Sequence, residues 1–249
     1  MDYYEDPERY QAEYAGLAAD IEGYRARARN EGGRVLELGC GTGRVLLPLA
    51  RAAIAIDGLD ASPAMLDALR RNRPPPETRL FLADMRDFSL GRRYRLVIAP
   101  LNALMHLLDD ADVLASLRSI RRHLEPGGRL LFDVHNPIPE LLRPSPPQGT
   151  LVRNLCLRGA WFAQREFFSY DGERRIGDIE YRFEPLSGTG AFSVRLRLRY
   201  FPPAELDRLL SAAGFSVLRR DGGFGGEPFR AESMTQFVEA APGNPEPSE

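Results

Sequence analysis

The stretch Val35-Leu36-Glu37-Leu38-Gly39-Cys40-Gly41-Thr42-Gly43-Arg44 decides how this chain folds. A short apolar run over 34–38 meets a turn with glycine at 39, 41 and 43, and a helical pattern follows over 44–53. Glycine allows positive φ and lets a ligand approach the backbone closely. The first turn of the following helix offers unpaired N–H groups to a carboxylate or phosphate. The dinucleotide fingerprint needs Gly or Ala where Arg44 stands, so a nicotinamide cofactor is disfavoured.

Outward from this turn, strands and helices alternate. Residues 55–60, 79–83, 95–99 and 129–134 read as further strands. Ser62 caps a helix with Pro63 at its first position, running to about Asn72. Residues 109–124 form another helix, which Pro126-Gly127-Gly128 stops. Such alternation predicts a parallel sheet covered on both faces. Upstream, Tyr10, Tyr14, Leu17, Ala18, Ile21 and Tyr24 make one helical stripe over 7–28. Downstream, the Pro-rich 136–149 leads to three strand-like runs, 160–170, 173–184 and 191–200, read as an antiparallel meander. A helix over 202–213 and strands over 215–220 and 233–240 close the pattern, and the tail reads as disordered. In the meander, Arg195, Arg197 and Arg199 form a stripe. A turn at Gly188-Thr189 would pair Glu180 with Arg197 and Asp178 with Arg199, over an apolar face of Ile179, Tyr181 and Phe183 against Leu198, Leu196 and Val194.

Composition excludes several classes. The 249 residues carry 33 basic and 35 acidic groups, a net charge of −2, which disfavours a general nucleic-acid binder. All basic residues are Arg, so lysine Schiff bases and the phosphate-loop lysine of nucleotide hydrolases are out. Two Cys and three His show no metal-ligand spacing, and no metal is expected. The acidic N-terminus is no signal peptide and no apolar run reaches 18 residues, so a cytoplasmic protein without a membrane segment is the expectation.

ELGCGTGR at 37–44 resembles the first motif of the class I S-adenosylmethionine (SAM)-dependent methyltransferases. The other stations of that family follow in order: LDASPAML at 59–66, ADMR at 83–86, LVIAPLNALMHL at 96–107, HLEPGGRLLFDV at 123–134 and AAGF at 212–215. The resemblance covers about 30–136 and 203–240. It implies a Rossmann-like seven-stranded α/β sheet, order 3-2-1-4-5-7-6, with an inserted antiparallel β-meander lid. The implied organisation is an N-terminal helical lid segment (1–29), a SAM-binding domain (30–140 and 201–241), a substrate or dimer lid (150–200) and a tail (242–249). The implied cofactor is SAM, with S-adenosylhomocysteine as product.

Residue roles follow from the same resemblance. Gly39, Cys40, Gly41 and Gly43 would face the methionine part, and Glu37 its amino group. Asp60 would accept from both ribose hydroxyls, with Ala61 and Met65 beside it; the plain alternative for Asp60 is a helix N-terminal charge. Asp57 is a nearby acid less suited to the role. Asp84 would accept from the adenine amino group and Met85 would donate its N–H to the ring, with Leu101 flanking the cofactor.

Catalysis of this kind needs an acceptor held in line with the methyl, and a base where the acceptor carries a proton. His106, at the exit of the fourth strand, and His135, past the fifth, are candidates against a purely structural role. Tyr10 and Tyr14 are candidates from an N-terminal cover, against a core role at i and i+4. The expected function is methyl transfer to nitrogen or oxygen of a small molecule. The alternatives are a non-catalytic SAM-binding regulator or assembly factor, and an enzyme acting on RNA or protein. The aromatic meander, with Trp161, Phe162, Phe167 and Phe168, reads as a substrate cover or as a homodimer interface.

Overall fold

The computed structural model describes residues 3–243. The tail expectation beyond Gly243 lies outside them; Pro242 itself closes the last strand.

The chain runs α1 (Pro7–Glu13), α2 (Ala19–Glu31), β1 (Val35–Leu38), α3 (Leu46–Arg51), β2 (Ile56–Asp60), α4 (Pro63–Arg71), β3 (Leu80–Leu82) and β4 (Tyr94–Ala99). After a 3-10 turn at Ala103–His106 come α5 (Asp110–His123) and β5 (Leu124–His135). Four antiparallel strands follow, β6 (Thr150–Leu157), β7 (Ala160–Asp171), β8 (Ile176–Pro185) and β9 (Phe192–Arg199), then α6 (Pro203–Ala212), β10 (Phe215–Asp221) and β11 (Thr235–Pro242). The large sheet has the order β10-β11-β5-β4-β1-β2-β3. Strands β1 to β5 are parallel, while β11 runs antiparallel to both neighbours. This is the expected order.

β1 is buried at every position because both faces of the sheet are covered. On one face α5 and α6 pack Leu117, Ile120, Leu206 and Leu209 against Leu36, Val97 and Phe132. On the other, Tyr24 and Ala28 of α2 and Leu66 and Leu69 of α4 pack against Val35, Ile98 and Phe237. Ser62 caps α4 as its sequence predicts, its Oγ accepting from Met65 N–H at 3.3 Å.

Four local expectations need correction. The stripe over 7–28 predicts one helix, yet the chain breaks between Tyr14 and Ala18 around Gly16 at φ 85°. The break lets Tyr10 join the four-stranded sheet, in one cluster with Leu155, Phe162 and Phe183, while Tyr24 joins the large sheet. The first helix of the parallel unit is six residues long, shorter than 44–53. The helix before Pro126 stops at His123, and β5 begins at Leu124 through a bulge opposite β4 that absorbs Pro126-Gly127-Gly128. The meander has a fourth strand, β6, in which exposed Leu151 and Val152 break the apolar alternation.

The arginine stripe is also paired differently. Asp178 lies opposite Arg197 and Glu180 opposite Arg195, two residues from the expected register. A two-residue slip keeps every side chain on its own face, so the apolar face survives with Ile179 opposite Leu196 and Tyr181 opposite Val194. Arg195 stays solvated, 3.9 Å from Glu180, while Arg199 is buried between Asp110 of α5 and Glu205 of α6. Arg199 thus latches the small sheet to the body. Arg199→Met should cost about 3 kcal/mol in urea unfolding, because buried Glu205 loses one of its two cations. Arg195→Met should stay within about 0.5 kcal/mol.

Candidate active site

At the carboxyl ends of β1, β2 and β4 lies a cavity of about 360 Å³. It sits at the switch point of the sheet, where the order reverses and open α/β sheets bind ligands. Its floor is the glycine turn. Gly39 and Gly41 line it at φ 65° and 52°. A Cβ on Gly41 would stand 3.8 Å from the Tyr10 ring, so the turn and the N-terminal segment close on each other. Gly43 differs from its expected role. It is outside the cavity wall, and a side chain there would run into Leu47 and Leu69, so it serves helix packing.

Asp60 ends β2 inside the wall. Its Oδ2 accepts from Gly41 N–H at 2.7 Å and its Oδ1 from Ser62 N–H at 2.8 Å. Burial raises this carboxyl, and the N–H donors of Ser62, Gly41 and Ala61 oppose the rise. Asp57 lies three residues earlier, at the opposite end of the sheet. It is fully buried against Arg34, Arg92 and Tyr94.

Glu37 points into the cavity from β1. It is buried, and its Oε2 has no hydrogen-bond partner among the described residues. An unsatisfied buried acceptor is costly, which fits a site built for a donor that arrives with the ligand. Burial pushes the carboxyl well above the usual range, Arg44 pulling it back. Arg44 also lines the cavity, held bidentate by Asp20 of α2 at 2.8 and 2.5 Å.

At the other end stand Ala61, Asp84 and Met85. Arg86 chelates Asp84, with its Nη2 at 2.6 Å, and holds the carboxyl below its usual range; Arg86 also reaches Asp112 at 3.1 Å. Met65 lies elsewhere: it is fully buried under the N-terminal segment with Tyr3 and Leu155, outside the cavity wall. Leu101 and Cys40 are in the wall.

The four catalytic candidates separate into two pairs. His106 and Tyr10 line the cavity; His135 and Tyr14 do not. His106 Nε2 is 2.8 Å from the hydroxyl of Tyr4, a wall residue of the N-terminal cover that the four candidates do not include. His135 is buried with Nε2 3.2 Å from Asn102 Nδ2. Tyr14 meets the Tyr3 hydroxyl at 3.3 Å, and Tyr3 donates to Glu13 at 2.6 Å. Arg44 and Asp133 were also absent from the pattern-based site. The position of Arg44 directly after the third glycine is the signal that could have found it.

A Gly-rich turn, an acid closing the second strand and an acid after the third define an α/β protein with a cofactor site on its carboxyl edge. Residues 35–128 match the family model of the methyltransferase domain. A dTDP-3-amino-3,6-dideoxy-α-D-glucopyranose N,N-dimethyltransferase of Streptomyces fradiae is 30% identical over 216 residues, 86% of this chain and 80% of that protein. The CcbJ methyltransferase of Streptomyces caelestis superimposes with a TM-score of 0.85 at 27% identity, over 98% of this chain and 99% of that one. A SAM-bound amino pentose methyltransferase from Micromonospora echinaspora gives 0.71 at 28%, over 93% and 96%. This chain belongs to the class I SAM-dependent methyltransferases. It moves a methyl group from SAM to a nitrogen or oxygen of a small molecule. Among the described residues no helix is long and apolar enough to cross a membrane.

The raised carboxyl of Glu37 has a signed consequence. A carboxyl whose folded value exceeds its unfolded value loses stability as pH rises from the usual carboxylate range through the raised value. Glu37→Gln removes that loss. The ligand-free variant should therefore melt higher than wild type at pH 8, with the gap closing toward pH 4. Calorimetry should at the same time show S-adenosylhomocysteine binding weakened about tenfold or more.

Proposed function

We propose that the chain N-methylates an amine on an amino-sugar type of small molecule. The observation that carries this reading is the Tyr4–His106 hydrogen bond in the cavity wall, just past the turn that follows β4. The acceptors named for two of the similar proteins, an amino deoxyhexose and an amino pentose, support it.

SAM supplies an electrophilic methyl on a sulfonium, which a neutral amine takes in line. In this reading Glu37 accepts from the cofactor's amino group, with Arg44 beside it as the cation near the methionine end. Asp60 has acceptor capacity left for the ribose hydroxyls beside the N–H donors of Gly41, Ser62 and Ala61. Asp84, fixed by Arg86, accepts from the adenine amino group, and Met85 offers its N–H to the ring. The Tyr4–His106 pair orients the acceptor amine and takes up the proton released on methylation. His135 and Tyr14 hold Asn102 and Tyr3 in place. The N-terminal segment and the four-stranded sheet cover the acceptor. A homodimer through that sheet and a cytoplasmic setting belong to the same reading.

The test pairs two acceptors with methyl-labelled SAM: a nucleotide-linked 3-amino-3,6-dideoxyhexose and its 3-hydroxy counterpart. Label should enter the amine alone. His106→Ala should lower kcat about 10²- to 10³-fold while leaving S-adenosylhomocysteine affinity unchanged. Asp60→Ala should weaken that affinity about tenfold or more. Transfer to the hydroxyl sugar, or an unaffected His106→Ala, would overturn the proposal.

A further inference from the structure

We propose that Asp133 is a positioning residue for methyl transfer, holding a strained turn that sets the acceptor-facing wall of the cavity. The inference rests on the reading of that cavity as the SAM site.

The chain leaves β4 through Pro100 and then puts two consecutive non-glycine residues, Leu101 and Asn102, into the left-handed region at φ 54° and 60°. Side chains resist that conformation through the contact between Cβ and the following carbonyl. What holds it is one carboxylate on the neighbouring strand. Asp133 Oδ1 accepts Leu101 N–H at 2.8 Å, and Oδ2 accepts Asn102 N–H at 3.0 Å. From α2, the Tyr24 hydroxyl donates to Oδ1 at 2.6 Å. Asp133 is buried, so these charge-assisted bonds act in a low-dielectric setting. β5 grips the turn twice more: His135 Nε2 lies 3.2 Å from Asn102 Nδ2, and His135 N–H reaches Met105 Sδ at 3.3 Å.

The turn stands at the reacting end. Pro100, Leu101, Ala103 and His106 all line the cavity. Ala103 comes so near the glycine turn that a Cβ on Gly39 would be 3.5 Å from its own. Loosening the turn therefore moves the wall that carries His106, while Glu37 and Asp60, on β1 and β2, keep their places.

The titration of Asp133 makes the claim measurable. Burial pushes its carboxyl up to about 6, against three donors that pull it down. Tyr24 and Asp20 face it from α2, Glu37 of β1 acts on Tyr24, and His135 on its own strand is lowered by burial. Protonation turns one oxygen into a donor facing donors, so the turn loosens as pH falls.

The experiment follows the Leu101 and Asn102 amide resonances of ¹⁵N-labelled protein without cofactor. Both should titrate together with a midpoint of about 6, and Asp133→Asn should abolish the titration. With [methyl-¹³C]SAM bound, Asp133→Asn should move the methyl resonance while S-adenosylhomocysteine affinity stays within about threefold. Adding Asn102→Gly should restore the methyl resonance, since glycine accepts the left-handed conformation without strain. Tyr24→Phe, which keeps the carboxylate, should raise the amide midpoint; this variant decides the matter if Asp133→Asn does not fold. Amides that do not titrate, or a methyl resonance unmoved by Asp133→Asn, would overturn the proposal. Wild-type protein that binds no S-adenosylhomocysteine would instead overturn the cavity reading, and the cofactor-free amide titration would still decide the role of Asp133 in the turn.

Discussion

The site hangs on the carboxylate of Asp60. β1 and β2 run side by side with Leu38 opposite Leu59, so the glycine turn after one strand and the helix cap after the other begin at the same height. One carboxylate then serves both, taking Gly41 N–H on one oxygen and Ser62 N–H on the other. Ser62 passes the constraint on. Its hydroxyl caps α4 and donates to the Tyr4 carbonyl at 3.0 Å, and the Tyr4 side chain reaches His106. A single acid thus registers the glycine turn, α4, the N-terminal segment and, through Tyr4, His106.

The parallel half of the fold is legible in the sequence because its signals are local. Glycines at 39 and 41, Ser62 with Pro63, and runs such as LVIA at 96–99 each dictate structure within a few residues. The order of the sheet and the placing of Glu37, Gly39, Gly41, Asp60, Asp84 and Met85 around one cavity are instead what the family resemblance of these motifs implies, not what the local signals dictate. What is not legible depends on which surface a side chain meets. Helical spacing puts Tyr10 and Tyr24 on one stripe, but two different sheets claim them and the helix breaks between. Met65, a cofactor contact by family resemblance, is drawn instead into the cluster beneath the cover. The meander register depends on a turn centred one residue before the Gly188-Thr189 pair, which shifts the pairing by two, and alternation of period two is blind to such a slip. Nor does the sequence around Asp133 mark it: it sits in an apolar strand, and its partners are backbone N–H groups 31 and 32 residues away.

The cover is held by polar groups that have left water. Arg9, fully buried in α1, pairs with Glu13 at 2.9 Å, and Glu13 also takes the Tyr3 hydroxyl and the Gln164 amide of β7. Burial raises Glu13 while Arg9 and Tyr3 lower it. Such a network contributes little net stability compared with an apolar core but is intolerant of partial loss. It fixes where the N-terminal segment lies on the small sheet, which an apolar contact among Tyr3, Phe183 and Leu155 alone would leave free to slide.

Electrostatics of the cavity also bear on the order of events in a methyl transfer. Glu37, Asp60, Asp84 and Asp112 line it, against Arg44 and Arg86, and both arginines are already paired with carboxylates. Burial raises Glu37 and Asp60, so these acids carry an unmet preference for a positive neighbour. SAM brings a sulfonium and an ammonium; the product keeps only the ammonium. An acid-lined, partly desolvated wall interacts more strongly with the first than with the second. Under the reading above, the positive charge passes from sulfur to the methylated amine as an ammonium and then goes with its proton to the Tyr4–His106 pair, so the amine leaves neutral. Under that reading, the same buried acids that lower the stability of the empty fold would favour a cationic ligand, and the stability lost at this edge would be the physical basis of that preference.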